Sequence, residues 1–290
     1  MDPSGCRTTS RPTAMLARRV QEHHEDIDGQ PIFWRSEPGD GAPVLYLHGV
    51  PTSSDDWVAF LERTGGLAPD LPGFGRSSKR ADLDYSISGY QRFLERFLDH
   101  VGTERYSLVV HDWGAVGLAL AQAAPERLER LVVMNVVPFV PGYRWHRVAR
   151  AWRTPLLGEL VMGSSNRWIV WKLSGPASAS PGPLPREFVY AAWEHFDQGT
   201  QRAILKLYRS APSDVLSRAG ERLGDITAPA LVLWGDRDPY IPARFADDTA
   251  AALGSGTVRH LEDASHWPWL DRPDVVDLVS DFLTSPRPEP

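Results

Sequence analysis

Residues 109–114 read Val-Val-His-Asp-Trp-Gly, and the aspartate in this stretch is the first residue whose position indicates chemistry. An apolar run ends at His111, and a stretch of helical composition, Ala-Val-Gly-Leu-Ala-Leu, follows Gly114. Strand, sharp turn and helix in this order form a nucleophile elbow, which exposes its central side chain above the N-terminus of a helix. The central residue is Asp112, and the N–H groups and helix dipole at such a turn favour its ionised form. We therefore expect Asp112 to be a carboxylate nucleophile.

The type of nucleophile decides which bonds can be broken. A carboxylate that attacks an amide or ester forms an anhydride, which expels the carboxylate again more readily than an amine or alkoxide. At a saturated carbon that bears a leaving group, the same carboxylate displaces that group and forms a stable alkyl ester. The sequence therefore favours substitution at carbon over acyl transfer.

Water must then cleave the alkyl ester, and this step needs a base and a group that orients the base. His266 lies in a loop after the predicted strand Thr-Val-Arg-His-Leu, and Asp238 lies just past the apolar run Ala-Leu-Val-Leu-Trp-Gly. Alone, each residue is typical of a loop or a helix cap. Together with Asp112 they follow the chain order nucleophile, acid, histidine, which is the order in α/β-hydrolases. Asp112, Asp238 and His266 are the predicted catalytic residues.

The elements that must position these residues alternate along the chain. Short apolar runs occupy 44–47, 66–71, 107–111, 130–137 and 230–235, with helical patterns between them. Strands that are apolar on both faces indicate a mostly parallel sheet with helices on both faces. Before them, Ile-Asp-Gly-Gln-Pro-Ile-Phe-Trp-Arg predicts a hairpin that turns at Asp28-Gly29, so that 130–137 is the sixth strand.

The alternation stops between about residues 137 and 225, where tryptophans and helical patterns predominate. We predict that 137–225 is a helical lid, or cap domain, inserted after the sixth strand and lying over the edge of the sheet where ligands bind. Its aromatic residues would create an apolar, water-poor pocket. Residues 18–136 and 226–285 form the predicted α/β core, whereas 1–17 are expected to be a disordered tail or an extension upstream of a start at Met15.

The composition makes a small apolar molecule the expected partner. The chain has 290 residues, a formal net charge of −6 and a single cysteine, Cys6. An acidic balance predicts no binding to nucleic acid or to an anionic membrane, and no stretch is apolar enough for a membrane span. A lone cysteine is consistent with the cytoplasm. We expect a monomer or a homodimer.

Five stretches resemble the haloalkane dehalogenase and epoxide hydrolase branch of the α/β-hydrolase superfamily: LHGVPTSSDDW, DLPGFGRSS, VVHDWGAVGLALAQ, LVLWGDRDPYIP and SHWPWLDRPDVV. They span nearly the whole chain outside the lid. The resemblance implies an α/β-hydrolase fold in which Asp112 is the nucleophile, Asp238 the charge partner and His266 the base that activates water. It also implies an oxyanion hole from the N–H groups of Val50 and Trp113, and no cofactor and no metal.

The leaving group separates the two members of this branch. Halide needs only hydrogen-bond donors, and the resemblance implies Trp113 as the first of them. Many dehalogenases place an asparagine where this chain has Val50, which has no side-chain donor. Other dehalogenases use a lid tryptophan, and the candidates here are Trp145, Trp152, Trp168 and Trp171. A further subgroup carries its acid where this chain has Asn135, so Asp238 must serve instead.

An epoxide oxygen leaves as a basic alkoxide and needs a proton, which a tyrosine can donate. Leu207-Tyr208-Arg209 resembles the segment in which epoxide hydrolases carry a lid tyrosine. Tyr143 and Tyr190 are candidates for a second one. Epoxide hydrolysis is on this ground the leading hypothesis, haloalkane dehalogenation is the alternative, and a catalytically idle ligand-binding protein is the weaker alternative.

Overall fold

The computed structural model describes residues 20–254 and 256–285, which build an eight-stranded sheet in the order β1-β2-β4-β3-β5-β6-β7-β8. The strands are β1 (Gln21–Ile27), β2 (Gln30–Glu37), β3 (Val44–Leu47), β4 (Gly66–Pro69), β5 (Tyr106–Asp112), β6 (Leu128–Val136), β7 (Ala230–Gly235) and β8 (Gly256–Leu261). Strands β3 to β8 pair with one another in parallel, whereas β2 is antiparallel to both of its neighbours, β1 and β4. The predicted α/β-hydrolase fold is confirmed. The predicted tail at 1–17 lies outside the described residues.

The predicted hairpin forms the antiparallel edge of the sheet. Ile27 pairs with Gln30, so only Asp28 and Gly29 make the turn. Both have positive φ, 53° and 75°. Two consecutive residues of positive φ are the signature of the tight hairpin turn that Asp-Gly favours, so the local sequence explains this edge.

Helices cover both faces of the sheet because its strands are apolar on both sides. They are α1 (Val58–Thr64), α2 (Ile87–His100), α3 (Val116–Ala123), α4 (Arg147–Arg153), α5 (Leu157–Ser164), α6 (Arg167–Leu173), α7 (Arg186–Glu194), α8 (Gln198–Ser210), α9 (Ser213–Ala219), α10 (Arg244–Leu253), α11 (Pro268–Asp271) and α12 (Asp274–Thr284). In β3, Leu45 and Leu47 pack on the α2 side, and Val44 and Tyr46 pack on the α12 side. This alternation places one buried cluster on each face.

The segment between β6 and β7, all of which the structure describes, consists of helices and loops, α4 to α9. β6 is the sixth strand in the chain, as expected. α8 attaches this segment to the core: it buries Ile204 and Tyr208, and its Arg202 side chain donates to the Lys79 carbonyl at 2.7 Å. Within residues 20–254 and 256–285, no helix combines the length and the apolar character needed to cross a membrane.

Candidate active site

Asp112 is the last residue of β5 and stands on a strained turn. Its φ of 48° and ψ of −118° are unfavourable for a residue with a Cβ. Gly114 allows this turn because a Cβ there would lie 2.1 Å from the Leu47 carbonyl oxygen. The sharp turn places the Asp112 side chain at the carboxyl edge of the sheet, beneath the lid.

The loop after β3 supplies a hydrogen bond to the Asp112 carboxylate. The Val50 N–H donates to Asp112 Oδ1 at 2.9 Å, and the Trp113 N–H also favours the charged carboxylate. The chain can come this close because residue 49 is glycine: a Cβ on Gly49 would lie 2.5 Å from the Asp112 Cβ. His48 holds the turn, since its Nδ1 donates to the Gly49 carbonyl and its Nε2 accepts from the Leu71 N–H. The predicted oxyanion donors, Val50 and Trp113, thus converge on Asp112.

Asp238 and His266 form a hydrogen-bonded pair beside Asp112. His266 Nδ1 donates to Asp238 Oδ2 at 2.7 Å. The other oxygen of Asp238 accepts from the N–H groups of Tyr240 and Ile241 at 2.7 and 3.0 Å. Asp238 is therefore held as an oriented carboxylate that fixes the ring of His266.

His266 and Asp112 face each other, with 3.6 Å between His266 Nε2 and Asp112 Oδ2. Burial raises the pKa of Asp112, against the opposing effects of the His266 charge and the N–H groups of Val50 and Trp113. Burial alone would lower the pKa of His266, but the carboxylates of Asp238 and Asp112 outweigh it, so that this pKa is raised. The charge of each group therefore favours the charged form of the other, although burial keeps the net pKa of Asp112 above its ordinary value.

Two further buried residues, to which the sequence assigned no role, contact the predicted catalytic groups. Asn135 Nδ2 donates to Asp238 Oδ2 at 2.8 Å, and its Oδ1 accepts from the Gly235 N–H at 2.9 Å. His111 Nε2 lies 2.8 Å from the His266 carbonyl oxygen and donates to it, and burial lowers the His111 pKa well below its ordinary value. The signal for His111 was its place immediately before the nucleophile.

A cavity of about 370 Å³ separates Asp112 and His266 from the lid. Its walls are mainly apolar and aromatic and include Val137, Trp145, Trp152, Phe188, Ile204 and Trp267. Tyr240 also lines it, with a ring centroid 5.0 Å from that of His266, and burial raises the Tyr240 pKa to about 12. His146 lies at the cavity as a neutral ring, because burial lowers its pKa to about 4. Such a space suits a small apolar molecule.

Two of the three predicted lid tyrosines reach this cavity. Tyr143 and Tyr208 line it, and in both burial and the nearby Asp112 charge raise the pKa of the phenol well above its ordinary value. They therefore keep their protons and can donate hydrogen bonds. Tyr190 is not among the cavity residues, and its hydroxyl accepts from Arg186 at 3.0 Å instead.

Unused hydrogen-bond donors lie close to Asp112. The Trp113 indole packs on the Tyr208 ring, with centroids 5.2 Å apart. The indole N–H partly opposes the rise of the Tyr208 pKa, yet it does not reach hydrogen-bond geometry and has no acceptor among the described residues. Trp113 is itself not among the cavity residues and lies behind Tyr208, which is. The buried Tyr143 hydroxyl likewise has none in this part of the chain. Because buried donors without a partner are unfavourable, these groups favour a ligand that accepts hydrogen bonds.

The predicted lid tryptophans divide into three kinds. The indole N–H groups of Trp145 and Trp171 are already bonded, to the Ala211 and Leu184 carbonyls. Trp168 is 55% exposed and is not among the cavity residues. Trp152 does line the cavity. Of the four candidates, Trp152 alone combines a place at the cavity with an indole that bonds no carbonyl among the described residues.

The chain is similar to known hydrolases in sequence and in fold. The model of a family described as the alpha/beta hydrolase family matches residues 44–277. A haloalkane dehalogenase of Mycolicibacterium paratuberculosis is 32% identical over 92% of this chain and 89% of its own length. One from Agrobacterium fabrum is 34% identical over 84% of this chain and 86% of its own. The crystal structure of a putative ancestral haloalkane dehalogenase superposes with a TM-score of 0.77 at 27% identity, over 90% of this chain and 98% of that one.

Proposed function

The chain belongs to the α/β-hydrolase family, in its haloalkane dehalogenase branch, and on that premise we propose that it hydrolyses the carbon–halogen bond of a small apolar haloalkane. One observation carries the proposal: the Asp112 carboxylate lines an apolar cavity together with the buried Tyr143 hydroxyl, which has no acceptor among the described residues. A nucleophile for carbon and a donor for a departing anion stand side by side. Water is the second substrate, and the chemistry calls for no cofactor.

In the first step the Asp112 carboxylate attacks the carbon that bears the halogen. A carbon–oxygen bond forms as the carbon–halogen bond breaks, and the halide takes the bonding electron pair. Oδ2 is the suitable attacking atom, because Oδ1 is engaged by the Val50 N–H. The apolar walls exclude water and so strengthen this displacement, since a desolvated carboxylate is a better nucleophile.

Hydrogen-bond donors must receive the halide as it leaves. The Trp113 indole N–H is the first candidate, and the neutral hydroxyls of Tyr143 and Tyr208 are the second. Val50 presents only a side chain without polar atoms in that region. We infer that a tyrosine hydroxyl takes the place of the missing asparagine donor.

In the second step water cleaves the ester. His266 Nε2 takes a proton from a water molecule, whose oxygen attacks the carbonyl carbon of the Asp112 ester. The N–H groups of Val50 and Trp113 stabilise the resulting oxyanion, and the intermediate collapses to the alcohol and the free carboxylate. Esterification removes the charge of Asp112, one of the charges that raise the His266 pKa, and thereby favours the neutral, basic form of His266.

The leading hypothesis from the sequence, epoxide hydrolysis, is not supported by the relatives, which favour the alternative. Tyr143 and Tyr208 at the cavity are the observation in its favour, because neutral phenols can protonate an epoxide oxygen. We keep it as the second candidate. The two activities share Asp112, His266 and Asp238 and differ only in the leaving group.

Product analysis distinguishes the candidates. Purified protein is incubated with a bromoalkane and, in parallel, with styrene oxide, and bromide and diol are measured. The proposal expects bromide release that Asp112→Asn abolishes, and diol without bromide would replace it by the second candidate. In His266→Gln the alkyl ester should accumulate and appear as a mass adduct on the peptide that contains Asp112. A binding protein without activity would give neither product nor adduct.

A further inference from the structure

One surface of the lid is unusually apolar. Within residues 20–254 and 256–285, every large apolar side chain that is exposed lies on α4 to α6 or in the turn between α4 and α5: Val148, Leu156, Leu157, Leu160, Trp168, Ile169, Val170 and Leu173. We call these eight residues the lid patch. Exposure is high, reaching 84% for Leu156, 72% for Leu173 and 69% for Leu160. An apolar patch gathered in one region marks an interaction surface, whereas scattered exposed residues do not.

Helix α6 is the centre of the lid patch. It reads Arg-Trp-Ile-Val-Trp-Lys-Leu over seven residues, and none of them is buried. A helix on a protein in water normally buries its apolar side against the core. Among the α-helices, α6 packs mainly against α7. It leaves the side chains of Trp168 and Leu173 exposed to the solvent.

The lid patch is continuous with the rim of the cavity. Ile169, Val170 and Leu173 are exposed on the surface and also line the cavity above Asp112. Val148 on α4 does the same. An apolar molecule that enters from this surface therefore meets mainly apolar side chains in the cavity that Asp112 lines.

Positive charge accompanies the apolar residues. Residues 137–173 contain six basic side chains and one acidic side chain, Glu159, in a chain whose net charge is −6. Arg153 donates to the Tyr208 and Ala211 carbonyls, which leaves Arg144, Arg147, Arg150, Arg167 and Lys172 as the basic residues available to a partner. Glu159 is already paired with Arg209. Lys172 Nζ lies 5.6 Å from the centre of the exposed Trp168 ring. Exposed tryptophan with flanking lysine and arginine is the composition of helices that lie in a membrane interface.

We propose that the lid patch docks on the surface of an anionic lipid bilayer, so that an apolar substrate passes from the lipid into the cavity without crossing water. Charge selects this occupant: anionic headgroups complement the basic residues, whereas a second copy docked through the same face would oppose them with its own. The net charge of −6 does not prevent docking, because salt screens charges on the far side of the molecule beyond roughly 10 Å. The nature of the substrate depends on the proposed function, but the docking does not.

Vesicle flotation tests the proposal on the full chain without any need for activity. Vesicles of phosphatidylcholine alone are compared with vesicles that also contain phosphatidylglycerol. We expect flotation with the anionic vesicles and its loss at high salt. Arg167→Gln with Lys172→Gln should weaken the affinity about fivefold for each charge removed. Leu160→Gln with Trp168→Gln should weaken it about tenfold, by loss of apolar burial.

Two controls separate docking from general effects. The double variant Arg96→Gln with Arg105→Gln removes two cations from the surface of the α/β core. Both arginines are ion-paired and lie far from the lid in sequence, so flotation should be unchanged. Leu160 and Trp168 are not cavity residues, so Leu160→Gln with Trp168→Gln should release bromide from a short, water-soluble bromoalkane at the wild-type rate. A slower rate for a long-chain bromoalkane held in anionic vesicles would then report docking itself.

Three results would overturn the proposal. They are no flotation with anionic vesicles, equal flotation with phosphatidylcholine alone, and flotation that the lid-patch variants do not change. Sedimentation equilibrium can give a fourth such result. If the wild type is a dimer and the double variant Leu160→Gln with Trp168→Gln is a monomer, the lid patch binds a second copy of the chain instead.

Discussion

Asn135 and His266 donate to the same oxygen of Asp238, at 2.8 and 2.7 Å. The amide comes from β6 and the imidazole from the loop after β8. Asp238 follows β7, which lies between these two strands, so it is held from both sides. Asn135 has a φ of 41°, in the region that glycine and asparagine adopt more readily than other residues. A buried amide that donates to Asp238 from this position indicates a positioning residue for the predicted acid.

We expect Asn135→Ala to lower kcat about tenfold, because one hydrogen bond to a charged group is lost. Without that donor, the Asp238 carboxylate attracts the His266 proton more strongly, so the acid limb of the pH–rate profile should move to higher pH. Gln122→Ala is the matched control: it removes another buried amide, which bridges the Leu118 and Ala219 carbonyls far from Asp112. If both variants lose the same stability and neither shifts the profile, Asn135 has only a structural role.

The pKa of His266 should depend on the charge of Asp112. In the free protein both carboxylates raise this pKa above the ordinary 6.5, against the opposing effect of burial. Asp112→Asn imitates the neutral ester, removes one of the two charges, and should lower the His266 pKa. NMR titration of labelled histidines measures the change, and His266→Gln assigns the resonance. An unchanged pKa would mean that ester formation does not prepare the base.

Asp56 makes stability depend on pH. It is buried, accepts from Thr52 Oγ1 at 2.6 Å, and burial raises its pKa from 3.8 to about 8. Between pH 3.8 and about pH 8, the unfolded chain releases the Asp56 proton while the folded protein keeps it. The free energy of unfolding therefore falls as pH rises through this range. The slope approaches about 1.4 kcal/mol per pH unit.

Asp56→Asn removes this titration and keeps an acceptor for Thr52. Denaturant unfolding at pH 5 and pH 7.5 should show that the variant gains stability relative to the wild type at the higher pH. Parallel slopes for the two proteins would show that Asp56 is ionised in the folded state.

The tyrosine hydroxyls at the cavity should contribute to leaving-group departure. Tyr143→Phe and Tyr208→Phe each remove one neutral donor near Asp112, and the variant that loses the halide donor should release bromide about tenfold more slowly. Chloride should be affected more than iodide, because a more concentrated charge gains more from a hydrogen bond. Tyr190→Phe, whose hydroxyl bonds Arg186, is the control and should keep the wild-type rate. Full activity in both cavity variants would leave Trp113 and the remaining cavity donors, such as Trp152, to hold the halide.

The local elements could be predicted because the information for them is local. Alternating apolar runs marked strands on both faces, and Asp28-Gly29 marked a two-residue turn. The elbow could also be predicted locally. Asp112 lies between an apolar run and a helix, and Gly114 follows it, which is the sequence pattern of a sharp strand-to-helix turn. The convergence of Asp112, Asp238 and His266 could be predicted because each follows a strand, and parallel strands bring their carboxyl ends to one edge of the sheet.

The sequence alone therefore determined the fold class, because turn chemistry and hydrophobic periodicity act over a few residues, and it predicted a lid at 137–225 and Asp112 as a nucleophile for saturated carbon. Only the tertiary structure decided which lid tyrosines face the cavity, that Asn135 and His111 bond Asp238 and the His266 carbonyl, and that α6 lies exposed. Tyr143 and Tyr190 have the same chemistry in the sequence; packing between distant segments directs one toward Asp112 and the other toward Arg186. Such long-range packing has no short-range pattern from which it could be inferred.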